Sequence, residues 1–350
     1  YAFSEGSHGV DLFFVLSGFC LSYPVLRALQ RSGTTVFDIA GYFARRTVRI
    51  VPPYYLAIAV VVIALLVLGR IGWQMPYELS LERVGWLDFA KQILFADRKP
   101  EFLNPSFWTL AVEWRWYFIF PIVLLVWTKS RRAFFFLIVC CLIGAATTRA
   151  GGFDLPLLPA FMLGITAAQF EIEKRTFGML PLLLAVLAAG IGILLEPLYG
   201  PEYFVQLQPA GLFAAFFFVL AAGSLPPLRA ALSFRPLVWI GVASYSIYLV
   251  HEPVIGALEN NLAVSPVLAA VGGVAAGAIF WAVLERPFMT NPWKARFVNW
   301  LTTPIRRLAD FAGVPLSMRL GSAPDDPRPD TGEDTSSSQA ADLVGSRTMR

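Results

Sequence analysis

Histidine and cysteine are scarce in this chain, with two and three copies among 350 residues. Two histidines without any Cys/His spacing argue against a structural zinc site, and no metal is expected. Cys20, Cys140 and Cys141 all fall inside apolar runs. There they read as small buried hydrophobes, and no disulfide framework is spelled out. Charge is also thin: charged residues make up 15% and hydrophobic residues 57%, with a mean hydropathy of +0.61. Those values lie outside the range of soluble domains. The chain begins YAFSEGSHGVD, without an initiator Met or an n-h-c signal peptide. Internal repeats of solenoid or propeller period are missing too.

What is present is a series of apolar runs close to bilayer length. Nine candidate spans cover 9–26, 50–69, 106–127, 133–149, 156–170, 178–195, 205–224, 237–256 and 266–284. The expected fold is all-α, a polytopic transmembrane helical bundle. Across these spans, 21 of the 28 Lys and Arg fall on one side and six on the other, with Arg115 inside a span. The Arg-rich side is therefore expected to be cytoplasmic and to carry the C-terminus. The net charge of +4 follows from those loops, and nucleic acid is not an expected partner. This topology starts outside, so an inside-to-outside first helix is expected upstream of Tyr1, ten spans in all. Residues 1–290 read as the membrane domain. Residues 291–321 read as a cytoplasmic amphipathic segment and 322–350 as a disordered tail.

Residues 106–120, SFWTLAVEWRWYFIF, carry Glu113 and Arg115 within an otherwise oily helix. Each costs about 2.5–3.5 kcal/mol there even on the gentler insertion scale. Two residues apart on a helix is about 200°, so they cannot pair with each other, whereas Tyr117 shares the face of Glu113. Glu113 is a candidate for a polar site inside the bundle, and Arg115 leans structural. In YFARRTVRIVPPYYL (42–56), Arg45, Arg46 and Arg49 sit at the inner mouth of the second span. Arg46 and Arg49, three apart, project from one side and suit a phosphate or diphosphate; positive-inside anchoring is the plainer alternative. Pro52-Pro53 predicts an interrupted helix. In HGVDLFFVLSGF (8–19), Asp11 enters a span from its outer end, Ser17-Gly18 is a close-packing pair, and His8 stands just outside. SYSIYLVHEPV (244–254) ends a span with Tyr248, His251 and Glu252, which alone could be interfacial anchors.

GVDLFFVLSGF, RRTVRI, WTLAVEWRWYFIFP, SYSIYLVHEP and a closing ERP (285–287) follow one another in the order seen in the acyltransferase-3 family. The chain resembles those integral-membrane O-acyltransferases over about residues 8–290. The resemblance implies ten helices, a cytoplasmic acyl-CoA donor (usually acetyl-CoA), and acylation of a hydroxyl on a glycan, glycolipid or small glycosylated product. It implies that Arg46 and Arg49, with Arg45 beside them, engage the donor. It matches Glu113 to the acid of the W-S/T-L-x-x-E motif and Asp11 to that of GVDLFF, both catalytic candidates. The family's first-helix histidine and arginine have no counterpart here, and their expected place is the helix upstream of Tyr1. A transporter or flippase would also hide charges in a bundle but predicts repeated broken spans, which the sequence does not show. A non-catalytic family member is the other alternative.

Overall fold

Hydrocarbon offers the backbone no hydrogen-bond partner, so an apolar run that enters it must close its own bonds as a helix. The computed structural model describes residues 2–74, 85–96, 103–147, 154–199, 204–289, 291–313 and 315–321. All nine apolar stretches are helical in it: α1 Ala2–Ser32, α2 Ile39–Arg70, α4 Phe107–Lys129, α5 Arg131–Thr147, α6 Asp154–Ile172, α7 Leu180–Tyr199, α8 Phe204–Ser224, α10 Arg235–Leu262 and α11 Pro266–Phe280. Between them lie the short helices α3 Trp86–Ile93 and α9 Pro226–Leu232. A π-helical turn, Trp281–Glu285, follows α11 and leads into α12 Arg286–Met289 and α13 Asn291–Ala312. Among the described residues, five helices qualify as membrane spans by length and apolarity alone, and α8 with α9, bent by 104°, make a sixth if the pair counts as one span. The protein is an all-α, multi-pass membrane protein.

Small residues set how closely these helices approach. A Cβ on Gly18 of α1 would lie 2.0 Å from the carbonyl oxygen of Phe161 on α6. One on Gly164 of α6 would lie 2.1 Å from that of Val15. The two backbones are thus in direct contact, as membrane packing without a hydrophobic driving force requires. Gly277 of α11 plays the same part against Ile247 of α10. Around these crossings a large aromatic core forms, with Phe14, Trp116, Phe120 and Phe161 all buried.

Two features depart from the sequence expectation. Pro52-Pro53 do not interrupt the second span: α2 runs unbroken through both. Prolines are tolerated in membrane helices that neighbouring helices surround, and here Tyr245 Oη of α10 donates to the Ile50 carbonyl at 2.9 Å, just before the pair. Helix α2 also starts well before residue 50, capped by Asp38, whose carboxylate accepts the Gly41 N–H at 2.9 Å. Arg45, Arg46 and Arg49 therefore sit within the helix, in its second and third turns, and not at its opening. The amphipathic segment adds something the pattern did not announce. After α13, β2 (Ser317–Leu320) pairs antiparallel with β1 (Thr35–Asp38), and Arg306 bonds Asp38 at 2.8 Å. The C-terminal segment is thereby strapped to the start of α2. The expected disordered tail, 322–350, lies outside the described residues.

Candidate active site

A carboxylate inside an apolar bundle needs donors within reach. Glu113 is 6% exposed on α4, and its Oε1 accepts from Tyr117 Oη at 2.7 Å and from Ser17 Oγ of α1 at 3.0 Å. Tyr117 reaches it because residues four apart share a helix face. Ser17 reaches it because the contact through Gly18 holds α1 at a fixed rotation. From the third side comes α2. The Arg46 guanidinium lies 5.9 Å from the Tyr117 ring centroid, and both Arg46 and Arg49 interact electrostatically with Glu113. Tyr42 of α2 meets Tyr117 edge to face at 6.2 Å.

Two polar atoms at this junction, Tyr42 Oη and Arg46 Nε, are buried without a hydrogen-bond partner. Buried polar groups are so seldom left unpaired that each such atom needs a reason. Among the described residues, the ion pairs lie elsewhere, and neither Arg46 nor Arg49 is spent on a carboxylate. The guanidiniums thus remain free for an anion from the side on which α2 begins. Arg45, more exposed, faces that side together with Lys294 of α13. Burial first, then the guanidiniums of Arg49, Arg46 and Arg45, lower the Lys294 pKa from its ordinary value.

The other predicted residues fall further out. Asp11 is 1% exposed on α1, about 9 Å along the axis from Ser17, and lies outside the hydrogen-bonded group at Glu113. Arg115 points away from Glu113, and its guanidinium donates to the Phe95 carbonyl at 3.3 Å, a structural tie. The side chain of His8 lies outside the described residues.

A second polar group lies at the opposite end of α4 from the strap, where Tyr248 and His251, singled out in the sequence, meet Asn104, Ser106 and Thr109, which sequence reasoning missed. Tyr248 Oη donates to the Ser106 carbonyl at 2.7 Å and lies 2.5 Å from Thr109 Oγ1. The fully buried Asn104 donates to the Leu249 carbonyl at 2.7 Å. His251 Nδ1 is 3.0 Å from the Tyr248 carbonyl oxygen, and its Nε2 is 3.8 Å from Glu252. The NPSFWTL run held the signal, polar residues directly before an apolar helix, but only the fold shows their partner. Also missed was that Ser246 and Glu285, each in a quoted motif, form a buried pair. Among the described residues no group of three His, Cys, Asp or Glu is placed to hold a metal ion.

The family model described as an acyltransferase domain (Acyl_transf_3) matches residues 6–286. A peptidoglycan O-acetyltransferase, OatA, of Listeria monocytogenes is 26% identical over 88% of this chain and 57% of its own length. Nodulation protein 10 of Rhizobium leguminosarum bv. viciae is 26% identical over 80% of this chain and 82% of its own. The O-acetyltransferase OatA of Staphylococcus aureus is 24% identical over 72% of this chain and 46% of its own. The chain thus spans about half the length of these OatA proteins. No solved structure matches. With its motifs gathered on α1, α2 and α4 and four-fifths of its length covered by one family model, the chain belongs to the acyltransferase-3 family.

Proposed function

We propose that this protein is a membrane O-acyltransferase that moves an acyl group, acetyl foremost, from acyl-CoA to a hydroxyl of a glycan, glycolipid or small glycosylated product. The observation that carries this reading is the convergence on Glu113 of Ser17, Tyr117 and Arg46, with the Arg46 Nε and Tyr42 Oη beside it buried and unpartnered. The donor enters from the Arg-rich, cytoplasmic side of an inner membrane. Its phosphates rest on Arg46 and Arg49, with Arg45 nearest the water, in the charge-assisted pairs that guanidiniums favour. The acceptor hydroxyl comes from the opposite side, past Tyr248 and Thr109. The hydroxyl oxygen attacks the thioester carbonyl, the C–O bond forms and the C–S bond breaks. Coenzyme A leaves as thiolate and takes up the hydroxyl proton. Glu113 is the carboxylate of this chain placed to carry that proton, directly or through the histidine that the resemblance expects, and Tyr117 and Ser17 fix its orientation. Asp11 lies toward the acceptor side. The names of the OatA relatives support acetyl transfer to a cell-wall or related glycan. Residues 291–321, docked on α2, keep the C-terminus on the donor side.

The test is acetyl-CoA-dependent acetylation of surface glycans, read by mass spectrometry in cells carrying Arg46→Ala, Arg49→Ala or Glu113→Gln at equal membrane levels. Loss of the acetyl mark in all three is expected. Full acetylation in both arginine variants would remove the donor assignment, and full acetylation in Glu113→Gln would reduce that residue to helix glue.

A further inference from the structure

The reaction outlined above gives no role to the buried carboxylate of Glu285. The inward face of α11 repeats as Ala269, Gly273, Gly277 and Phe280, all buried. Continued as α-helix, that stripe would next bring Leu284 inward. The backbone instead widens into the π turn Trp281–Glu285. The next buried side chain comes five residues after Phe280 and is Glu285, 2% exposed, while Leu284 is only partly buried. A π turn is a costly departure from the α-helix and recurs at functional sites. Here it exchanges a leucine for a carboxylate in the core of the bundle.

What Glu285 meets there is specific. Ser246 Oγ of α10, itself fully buried, donates to its carboxylate. The neighbouring Tyr245 donates to the Ile50 carbonyl on α2, one residue past Arg49. The π turn packs against α2, so Arg49, the residue before Ile50, is near enough to act electrostatically on Glu285 as well as on Glu113. Its side chain is nevertheless largely exposed, and a long guanidinium stem can swing its charge out into water. The attraction of a fixed carboxylate opposes that swing.

We propose that Glu285, presented by the π turn and fixed by Ser246, is a positioning residue that keeps the Arg49 guanidinium at the inner end of the donor site. The inference rests on the donor-site reading of Arg49 and deepens it. A cation held in place before the ligand arrives loses less freedom on binding, so Glu285 acts on donor affinity through Arg49 without touching the donor.

The experiment is a double-mutant cycle on the full-length protein in lipid nanodiscs, with coenzyme A as the probe and its Kd read by calorimetry. Glu285→Gln is expected to weaken binding about five- to tenfold, and Glu285→Gln in an Arg49→Ala background to weaken it no further. Ser246→Ala, which leaves the charge in place, should shift Kd in the same direction by about two- to threefold and lose its effect in the same background. It stands in for Glu285→Gln if that variant does not fold. Wild-type or tighter binding in Glu285→Gln, or losses that multiply with Arg49→Ala, would overturn the inference while leaving Arg49 as a donor ligand. A drop in melting temperature with Kd unchanged would do the same, since it marks a packing role alone. Unchanged Kd in Arg49→Ala is a separate result, and it would sink the donor-site reading along with this one.

Discussion

Two of the acid–arginine meetings in the bundle are of opposite kinds. Glu171 and Arg229 pair directly at 3.0 Å on the rim of a cavity of about 590 Å³ that is lined mostly by apolar residues of α1, α6 and α8. Both side chains keep substantial exposure, and Arg229 also donates to the Gly223 carbonyl at 2.8 Å. Every charge there is answered by another protein group, so the pair ties the α8–α9 bend to α6 and has nothing left for a ligand. At Glu113 the carboxylate is buried and satisfied by two hydroxyls. The arginines stand nearby without closing an ion pair, and Arg46 Nε is orphaned. Unspent hydrogen-bonding capacity beside a buried charge separates a site from a strut.

The sharpest way to break that contrast is to remove one partner from each meeting. Glu113→Gln should lower acetyl-CoA-dependent acetylation by about 10²–10⁴-fold, the range for a positioned acid–base group, and Arg46→Ala should abolish it by removing a charge-assisted donor contact. Glu171→Gln or Arg229→Ala should leave it within about twofold, because exposed pairs contribute about 0–1 kcal/mol. Equal losses at both places, in rate assays on purified protein, would erase the distinction.

Next in size is the donor hydroxyl. Tyr117→Phe removes the 2.7 Å bond to Glu113 and keeps the ring. A hydrogen bond to a charged group contributes about 1.5–3 kcal/mol, so the rate at saturating donor should fall about tenfold or more. A wild-type rate would show that Ser17 alone suffices to orient Glu113.

Much of this was legible in the sequence, and the divide is physical. Helix periodicity placed Tyr117 on the face of Glu113 and Arg46 beside Arg49, because both relations lie within one helix. Partners from different helices were not readable. Ser17 and Glu113 are 96 positions apart, and Asn104 and Leu249 are 145 apart. Nothing local says which rotation of α1 or α10 the small residues will fix. Pro52-Pro53 misled because the rule against proline in a helix holds for a helix standing alone, whereas here α10 packs on α2 and Tyr245 bonds it just before the pair. Glu285 was legible only as part of the ERP motif; its burial was not, because a π turn breaks the very periodicity used to find inward faces.

The close contact beneath the site offers a test of stability. Gly18→Ala places a methyl 2.0 Å from the Phe161 carbonyl oxygen, and backbone cannot yield as a side chain can. Overpacking of this kind costs about 1–3 kcal/mol, read as a lower melting temperature in detergent. Activity should fall with it, since Ser17 turns with α1. Unchanged melting would mean that α1 and α6 stand further apart than described.

The smallest effect concerns Lys294. Its lowered pKa means that the folded state binds its proton less readily than the unfolded chain does. The penalty is full below the depressed value and gone above the ordinary lysine value, so stability rises with pH between the two. Over that window the wild type should gain melting temperature slightly relative to Lys294→Met. Parallel curves would show that the charge of α13 is not pressed against the α2 arginines.

One measurement reaches the central claim most directly: cysteine labelling at Arg45→Cys, with Cys20, Cys140 and Cys141 replaced, by a membrane-impermeant maleimide on sealed vesicles. Rapid labelling in inside-out vesicles, none in right-side-out vesicles, and slowing by acetyl-CoA are the predicted result. Labelling from the right-side-out face, or a rate that acetyl-CoA leaves untouched, would contradict it.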